Sequence, residues 1–256
     1  MLTIFRRLSV LLLLVFAVPA VAAIKTVTVQ SAAGPFAVYV DGPANAEHGL
    51  ILVHDYFGVS PAYFDEIQHW ANKGYRVVGV DLYNGKSAQN DGDAYGLLIA
   101  LNPDDAAKKV DAAVNWLNKR THAIATMGFS MGTRYALGAA LTNKAVMATV
   151  LWYPFPEPVT DPAVLKNLSG PVLYVIGSKD GFASADGIAA DGVAKFSLAM
   201  DDAGVGAEMY MYPSVGHAFA QPLFWGGANV NADATNAAYH VTNNFLKRRF
   251  HKEENE

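Results

Sequence analysis

Residues 123–133 read Ala-Ile-Ala-Thr-Met-Gly-Phe-Ser-Met-Gly-Thr: an apolar run, Ala123 to Met127, breaks into Gly128-Phe129-Ser130-Met131-Gly132. It passes at once into a helical pattern carrying Thr133, Ala136 and Ala140. A short continuous apolar run bounded by glycine reads as a strand buried on both faces. The Gly-x-Ser-x-Gly that follows is informative only in this strand–turn–helix setting. The two glycines let strand and helix approach closely, and a strained turn between them holds the Ser130 hydroxyl clear of the sheet. Outside that setting the same pattern is an ordinary glycine-rich turn with a capping serine.

Similar runs recur on either side. Leu50 to Val53, Val77 to Val80, Val146 to Trp152, Val172 to Ile176 and Ala207 to Tyr212 are each bounded by Gly, Pro or polar residues. Helical patterns separate them: Tyr63 to Asn72, Asp104 to Leu117, Gly132 to Leu141, Ser184 to Asp202 and Thr235 to Phe250. Strands alternating with helices predict an α/β fold with a mostly parallel sheet and right-handed crossovers. Ahead of them, Lys25 to Gln30 and Phe36 to Val40 flank Gly34-Pro35 and predict an antiparallel hairpin at the sheet's N-terminal edge. In such sheets the chemistry collects at the carboxyl ends of the strands.

A serine hydroxyl needs a base, because it is almost wholly protonated at neutral pH. Of seven histidines, His217 alone occupies a loop after a predicted strand near the C-terminus, in Gly216-His217-Ala218-Phe219. His48, His54 and His122 sit in or beside turns and strands, His69 and His240 in helical patterns, and His251 in the charged tail. A carboxylate is expected at the strand end between Ser130 and His217, to hold the imidazole tautomer. Asp180, in Gly177-Ser178-Lys179-Asp180-Gly181, fits; Asp186 and Asp201 lie in or beside a helix. The oxyanion would take the backbone N–H of Met131 and one from the loop His54-Asp55-Tyr56-Phe57-Gly58, assigned to Tyr56. Asp55 is either an acid supporting the site from behind or a turn residue.

The order Ser130, Asp180, His217 is that of α/β-hydrolases. Beyond it the chain resembles the dienelactone hydrolase family over nearly all its length after residue 23. The resemblance is carried by HDYFG at 54–58, DLY at 81–83, GFSMG at 128–132, GSKD at 177–180 and GHAF at 216–219. It implies the α/β-hydrolase fold, a triad of Ser130, Asp180 and His217, and an oxyanion N–H from Tyr56. Founding members use a cysteine nucleophile, activated with the help of a glutamate where Asp55 stands. A serine and an acid one methylene shorter occur here, so the thiol-specific step does not carry over. Nor is there a convincing pair of arginines for a substrate carboxylate: Arg76 begins a strand and Arg134 lies on the helix after Ser130.

Composition narrows the chemistry from the other side. The chain has 256 residues, 52% of them apolar, and no cysteine, which excludes disulfides, thiolate zinc sites and thiol nucleophiles. With 19 basic and 23 acidic residues it lacks the cationic footprint of a nucleic-acid binder. Gly85-Lys86-Ser87 lacks the earlier glycine of a phosphate loop, Val80 standing there, and no spacing suggests a metal or cofactor. Arg6 and Arg7, the run Val10 to Val18, Pro19 and Ala20-Val21-Ala22-Ala23 predict a signal peptide cleaved after Ala22 or Ala23. The product, residues 24–256 with formal charge −6, is expected to be exported to periplasm or medium as a single monomeric domain, with no stable membrane span. A small pocket is expected from Phe57, Tyr83, Trp152 and Phe219, with Tyr56, Tyr153, Phe155 and Trp225 also near strand ends. The expected activity is cleavage of small esters or lactones through an acyl-Ser130. Acyl transfer, peptide hydrolysis or non-catalytic ligand binding on the same fold remain open at this point.

Overall fold

The computed structural model describes residues 24–253, so the expected signal peptide and its expected cleavage lie outside the described residues. Eight strands form one sheet: β1 (Lys25–Ser31), β2 (Gly34–Asp41), β3 (His48–Val53), β4 (Arg76–Val80), β5 (Ala123–Phe129), β6 (Val146–Trp152), β7 (Val172–Gly177) and β8 (Ala207–Tyr212). Their spatial order is β1-β2-β4-β3-β5-β6-β7-β8. The β1–β2 and β2–β4 pairs are antiparallel and every later pair is parallel, as the alternation of runs and helices requires. The hairpin turns one step earlier than the sequence suggests. Ser31 pairs Gly34, and Pro35 sits inside β2 opposite Gln30, beyond the stretch that bonds to β4.

The helices are α1 (Pro61–Ala71), α2 (Asp91–Ala100), α3 (Pro103–Asn118), α4 (Gly132–Thr142), α5 (Pro162–Leu165), α6 (Ala189–Asp202) and α7 (Ala232–Glu253). The strand period of two divides their cores. Ile51 and Val53 of β3 pack with Val110 and Leu117 of α3 and Ala136 of α4, while Leu50 and Leu52 pack with Ile67 and Trp70 of α1 and Phe245 of α7. Both faces of the sheet are therefore covered, which explains why its strands are continuous apolar runs. Helix starts follow from caps: Ser60 accepts from Tyr63 N–H ahead of Pro61, and Asn102 accepts from Asp104 and Asp105 N–H ahead of Pro103.

Three helices depart from expectation, the single-turn α5 being one that the sequence reading does not include. α2 has no counterpart in the sequence reading, because Gly92 and Gly96 weaken its propensity and only Ala94 is buried. Its one legible signal is the Asn90 cap followed by Asp91 and Asp93. α6 begins at Ala189, not Ser184: Gly187 takes a positive φ of 70°, and the Ser184 hydroxyl bonds both N–H and C=O of Ile188, closing a turn there.

From β3 the chain runs one way to β4 and then back across to β5, so the strand order reverses between β3 and β5. The crevice outside the ends of these strands is where an open α/β sheet binds its ligands.

Candidate active site

Ser130 stands at that crevice, between the end of β5 and the start of α4, with φ +49°. A non-glycine residue in this region costs roughly 1–3 kcal/mol and persists only when its surroundings hold it. They do so here from three sides. Ser130 N–H donates to Trp152 O at 3.0 Å, and Ser130 O accepts from Thr133 N (3.0 Å), Thr133 Oγ1 (2.6 Å) and Phe155 N (3.2 Å). The flanking glycines are required by contact. A Cβ on Gly128 would meet the Gly132 carbonyl at 2.4 Å, and one on Gly132 would meet Val53 O at 2.3 Å.

Loops after β7 and β8 bring Asp180 and His217 to the same place. Asp180 is fully buried; its Oδ1 accepts from Phe182 N at 2.9 Å and its Oδ2 faces His217 Nδ1 at 2.8 Å. An acceptor-only carboxylate at Nδ1 puts the imidazole proton there and leaves Nε2 free to accept from Ser130 Oγ–H, 2.9 Å away. The ring is held edge-to-face by Tyr153, Phe182 and Phe224 at centroid distances of 5.4, 4.9 and 5.4 Å, and Asn229 Nδ2 donates to His217 O at 2.8 Å. Asp186 and Asp201 are solvent-exposed residues outside this line.

The loop after β3 lies opposite. His54 is a buried strut: its Nε2 accepts from Leu82 N at 3.1 Å, so Nδ1–H donates to Asp55 O at 2.6 Å, and burial pushes its pKa down to about 4. Asp55 accepts from Phe57 N at 2.8 Å with one oxygen and from the Gln221 side-chain amide with the other. Burial pushes its pKa up to about 6, against the pull of those two donors and of His217. Both oxygens are occupied, and Asp55 thus ties its own loop to the segment after His217. Gln221 escaped sequence reasoning; its one signal is a polar side chain closing the apolar stretch Ala218-Phe219-Ala220.

Tyr56 and Met131 line the cleft with Ser130, and Met131 caps the N-terminal end of α4. The Tyr56 phenol donates to Asp91, the first residue of α2, and its pKa is raised by burial and by that carboxylate.

The cleft itself is small, about 180 Å³. Its walls beyond Tyr56 and Met131 are Tyr95 and Leu98 of α2, Phe155 and Phe182 from the loops after β6 and β7, and Phe224 and Trp225. Of the four aromatics expected to line it, Phe57, Trp152 and Phe219 are completely buried in the sheet core. Tyr83 is buried as well, its hydroxyl 3.2 Å from Met131 Sδ. These four sit one layer too deep, under the loops that face solvent. Among the described residues no three His, Asp or Glu side chains stand together as a metal ion would need.

Comparison with known proteins agrees with this architecture. Residues 36–250 match the dienelactone hydrolase family. A Yersinia pestis protein named "Putative carboxymethylenebutenolidase" is 28% identical over 187 residues, 66% of this chain and 67% of that one. In fold, the chain is similar to a dienelactone hydrolase from Anabaena variabilis (TM-score 0.66, 17% identity, 89% of this chain and 98% of that one). It is also similar to a Pyrococcus furiosus esterase (TM-score 0.65, 15% identity, 88% and 90%). An α/β sheet with this strand order, matched to the family from β2 into α7, places the chain in the dienelactone hydrolase family, as a hydrolase acting on ester bonds.

Proposed function

We propose that the protein is an exported serine hydrolase that cleaves small carboxylic esters or lactones through an acyl-Ser130 intermediate. The observation that carries this reading is the unbroken hydrogen-bonded line Ser130 Oγ, His217 Nε2, His217 Nδ1, Asp180 Oδ2, with steps of 2.9 and 2.8 Å. Ser130 Oγ attacks the carbonyl carbon while His217 Nε2 takes its proton, and Asp180 stabilises the imidazolium so formed. The oxyanion is held by the N–H groups of Met131 and Tyr56, the former at the positive end of α4. His217 then returns the proton to the leaving alkoxide. In the second half-reaction it removes a proton from water, whose hydroxide attacks the acyl carbon, and it passes that proton to the departing Ser130 Oγ as the acid is released.

Asp55 serves as a support in this scheme. Through Phe57 N–H it fixes the turn that presents Tyr56, and through Gln221 it fixes the segment beyond His217. Export rests on the basic and apolar leader at residues 1–23, with Ala20 to Ala23 as the exit.

Turnover of a graded series of 4-nitrophenyl esters and a lactone tests the chemistry. Ser130→Ala is expected to lower kcat by several orders of magnitude with the fold retained; a variant keeping most of its activity overturns the assignment. N-terminal sequencing of the product recovered outside the cytoplasm tests export, with Ala23 or Ile24 expected as the first residue.

A further inference from the structure

The cleft carries a charge pattern that bears on what enters it. Tyr95, Phe182 and Trp225 are 60%, 38% and 56% exposed, three large apolar side chains left in solvent around one opening. Soluble surfaces rarely gather exposed apolar groups without a ligand to cover them. Phe182 meets Phe155 edge-to-face at 5.5 Å and lies 6.3 Å from Trp225, which stacks on Phe224 at 4.7 Å, so the wall is a continuous aromatic surface. No Lys or Arg is among the residues lining it. Arg134 lies in a separate groove with Glu157 and Val159, and Lys86 and Lys109 in another beside Asp81. Three carboxylates stand next to the cleft lining: Asp180 on His217, Asp55 in the loop that carries Tyr56, and Asp91 bonded to Tyr56 and Trp225.

We propose that the cleft selects neutral esters with a small aromatic or short apolar group and rejects esters that carry a carboxylate. This inference rests on the serine hydrolase reading of Ser130. A substrate carboxylate would have to leave water for an apolar wall with no cation to meet it, and would do so among three acids. An uncharged ring or short chain loses nothing by the same move and gains contact with the exposed aromatic faces. The volume of about 180 Å³ falls below the roughly 300–1,000 Å³ of sites for drug-sized ligands, so the favoured group is small.

The test is a matched pair with one leaving group: 4-nitrophenyl pentanoate and the 4-nitrophenyl monoester of glutaric acid, which adds a terminal carboxylate. The expected kcat/KM is lower for the anionic ester by roughly tenfold or more, with the gap narrowing as salt is raised, since screening acts on the charged substrate alone. Tyr95→Arg, at an exposed wall position, is expected to raise turnover of the glutarate ester relative to the pentanoate. Equal rates for the two esters in the wild type, with both lost in Ser130→Ala, overturn the selectivity and leave the nucleophile assignment standing. Ester turnover that persists in Ser130→Ala overturns the reading on which the selectivity rests, and the selectivity with it.

Discussion

The carboxylate of Asp91 accepts the backbone N–H of Trp225 with both oxygens, at 3.2 Å each, across 134 residues of sequence. The same carboxylate takes the Tyr56 phenol. One side chain thus joins the start of α2, the loop that presents the proposed oxyanion donor, and the aromatic wall. Trp225 is held at φ +47°, a conformation that relies on such a tether. Asp91→Ala is expected to lower kcat/KM for neutral aryl esters by about tenfold, or about 1.4 kcal/mol, with KM rising because the Trp225 wall loosens. Steady-state kinetics check this, and unchanged constants would show that the tether has no part in catalysis.

Two glycines of α4 separate close packing from propensity. At Gly132 an added Cβ meets Val53 O at 2.3 Å and His54 O at 2.5 Å, backbone atoms that cannot move without shifting β3. At Gly138 it meets nothing within 4 Å. Gly132→Ala is therefore expected to destabilise the fold by about 3 kcal/mol, whereas Gly138→Ala is expected to be neutral or stabilising by up to about 1 kcal/mol. Urea denaturation of the two variants reads the difference, and equal midpoints would contradict the close approach of α4 to β3.

The Glu66 carboxylate accepts from Tyr239 Oη–H and lies against the Trp70 indole, with its Oε2 out of solvent. Burial pushes its pKa up to about 7 from an ordinary 4.5, outweighing the pull of Tyr239 and Trp70. Between those values the folded protein keeps a proton that the unfolded chain has released. The stability contributed by Glu66 is then fully present below about 4.5, falls through that window and is gone above about 7. Glu66→Gln keeps an acceptor for Tyr239 and does not titrate. The stability difference between the two proteins should change by on the order of 2–3 kcal/mol over the interval. Denaturation midpoints at pH 5 and pH 8 measure it; parallel pH profiles for wild type and variant would contradict the shift.

The residues legible in the sequence are those whose position is set by a strand next to them. Ser130, Asp180 and His217 each come within five residues of the end of an apolar run, and the end of a strand in a parallel sheet is a place known before the loops are. Asp91, Gln221, Phe182 and Phe224 were not legible, because each reaches the site through contacts with segments far away in sequence. The expected lining of Phe57, Trp152 and Phe219 failed for a related reason. Trp152 at the end of β6 and Phe57 and Phe219 in the loops just after β3 and β8 turn back into the core, and the rings that line the cleft come from loop positions further out. Likewise α2, with two glycines and a single buried residue, shows no apolar stripe, although it supplies Asp91, Tyr95 and Leu98 to the site.

Covalent labelling shows whether Ser130 is a nucleophile activated by His217. The protein is treated with a fluorophosphonate and digested, and the modified peptide is located by mass spectrometry. A single adduct on Ser130 is expected, absent from Ser130→Ala and formed far more slowly in His217→Ala. Folded protein that takes up no label, or that carries it on another residue, would rule out Ser130 as the nucleophile.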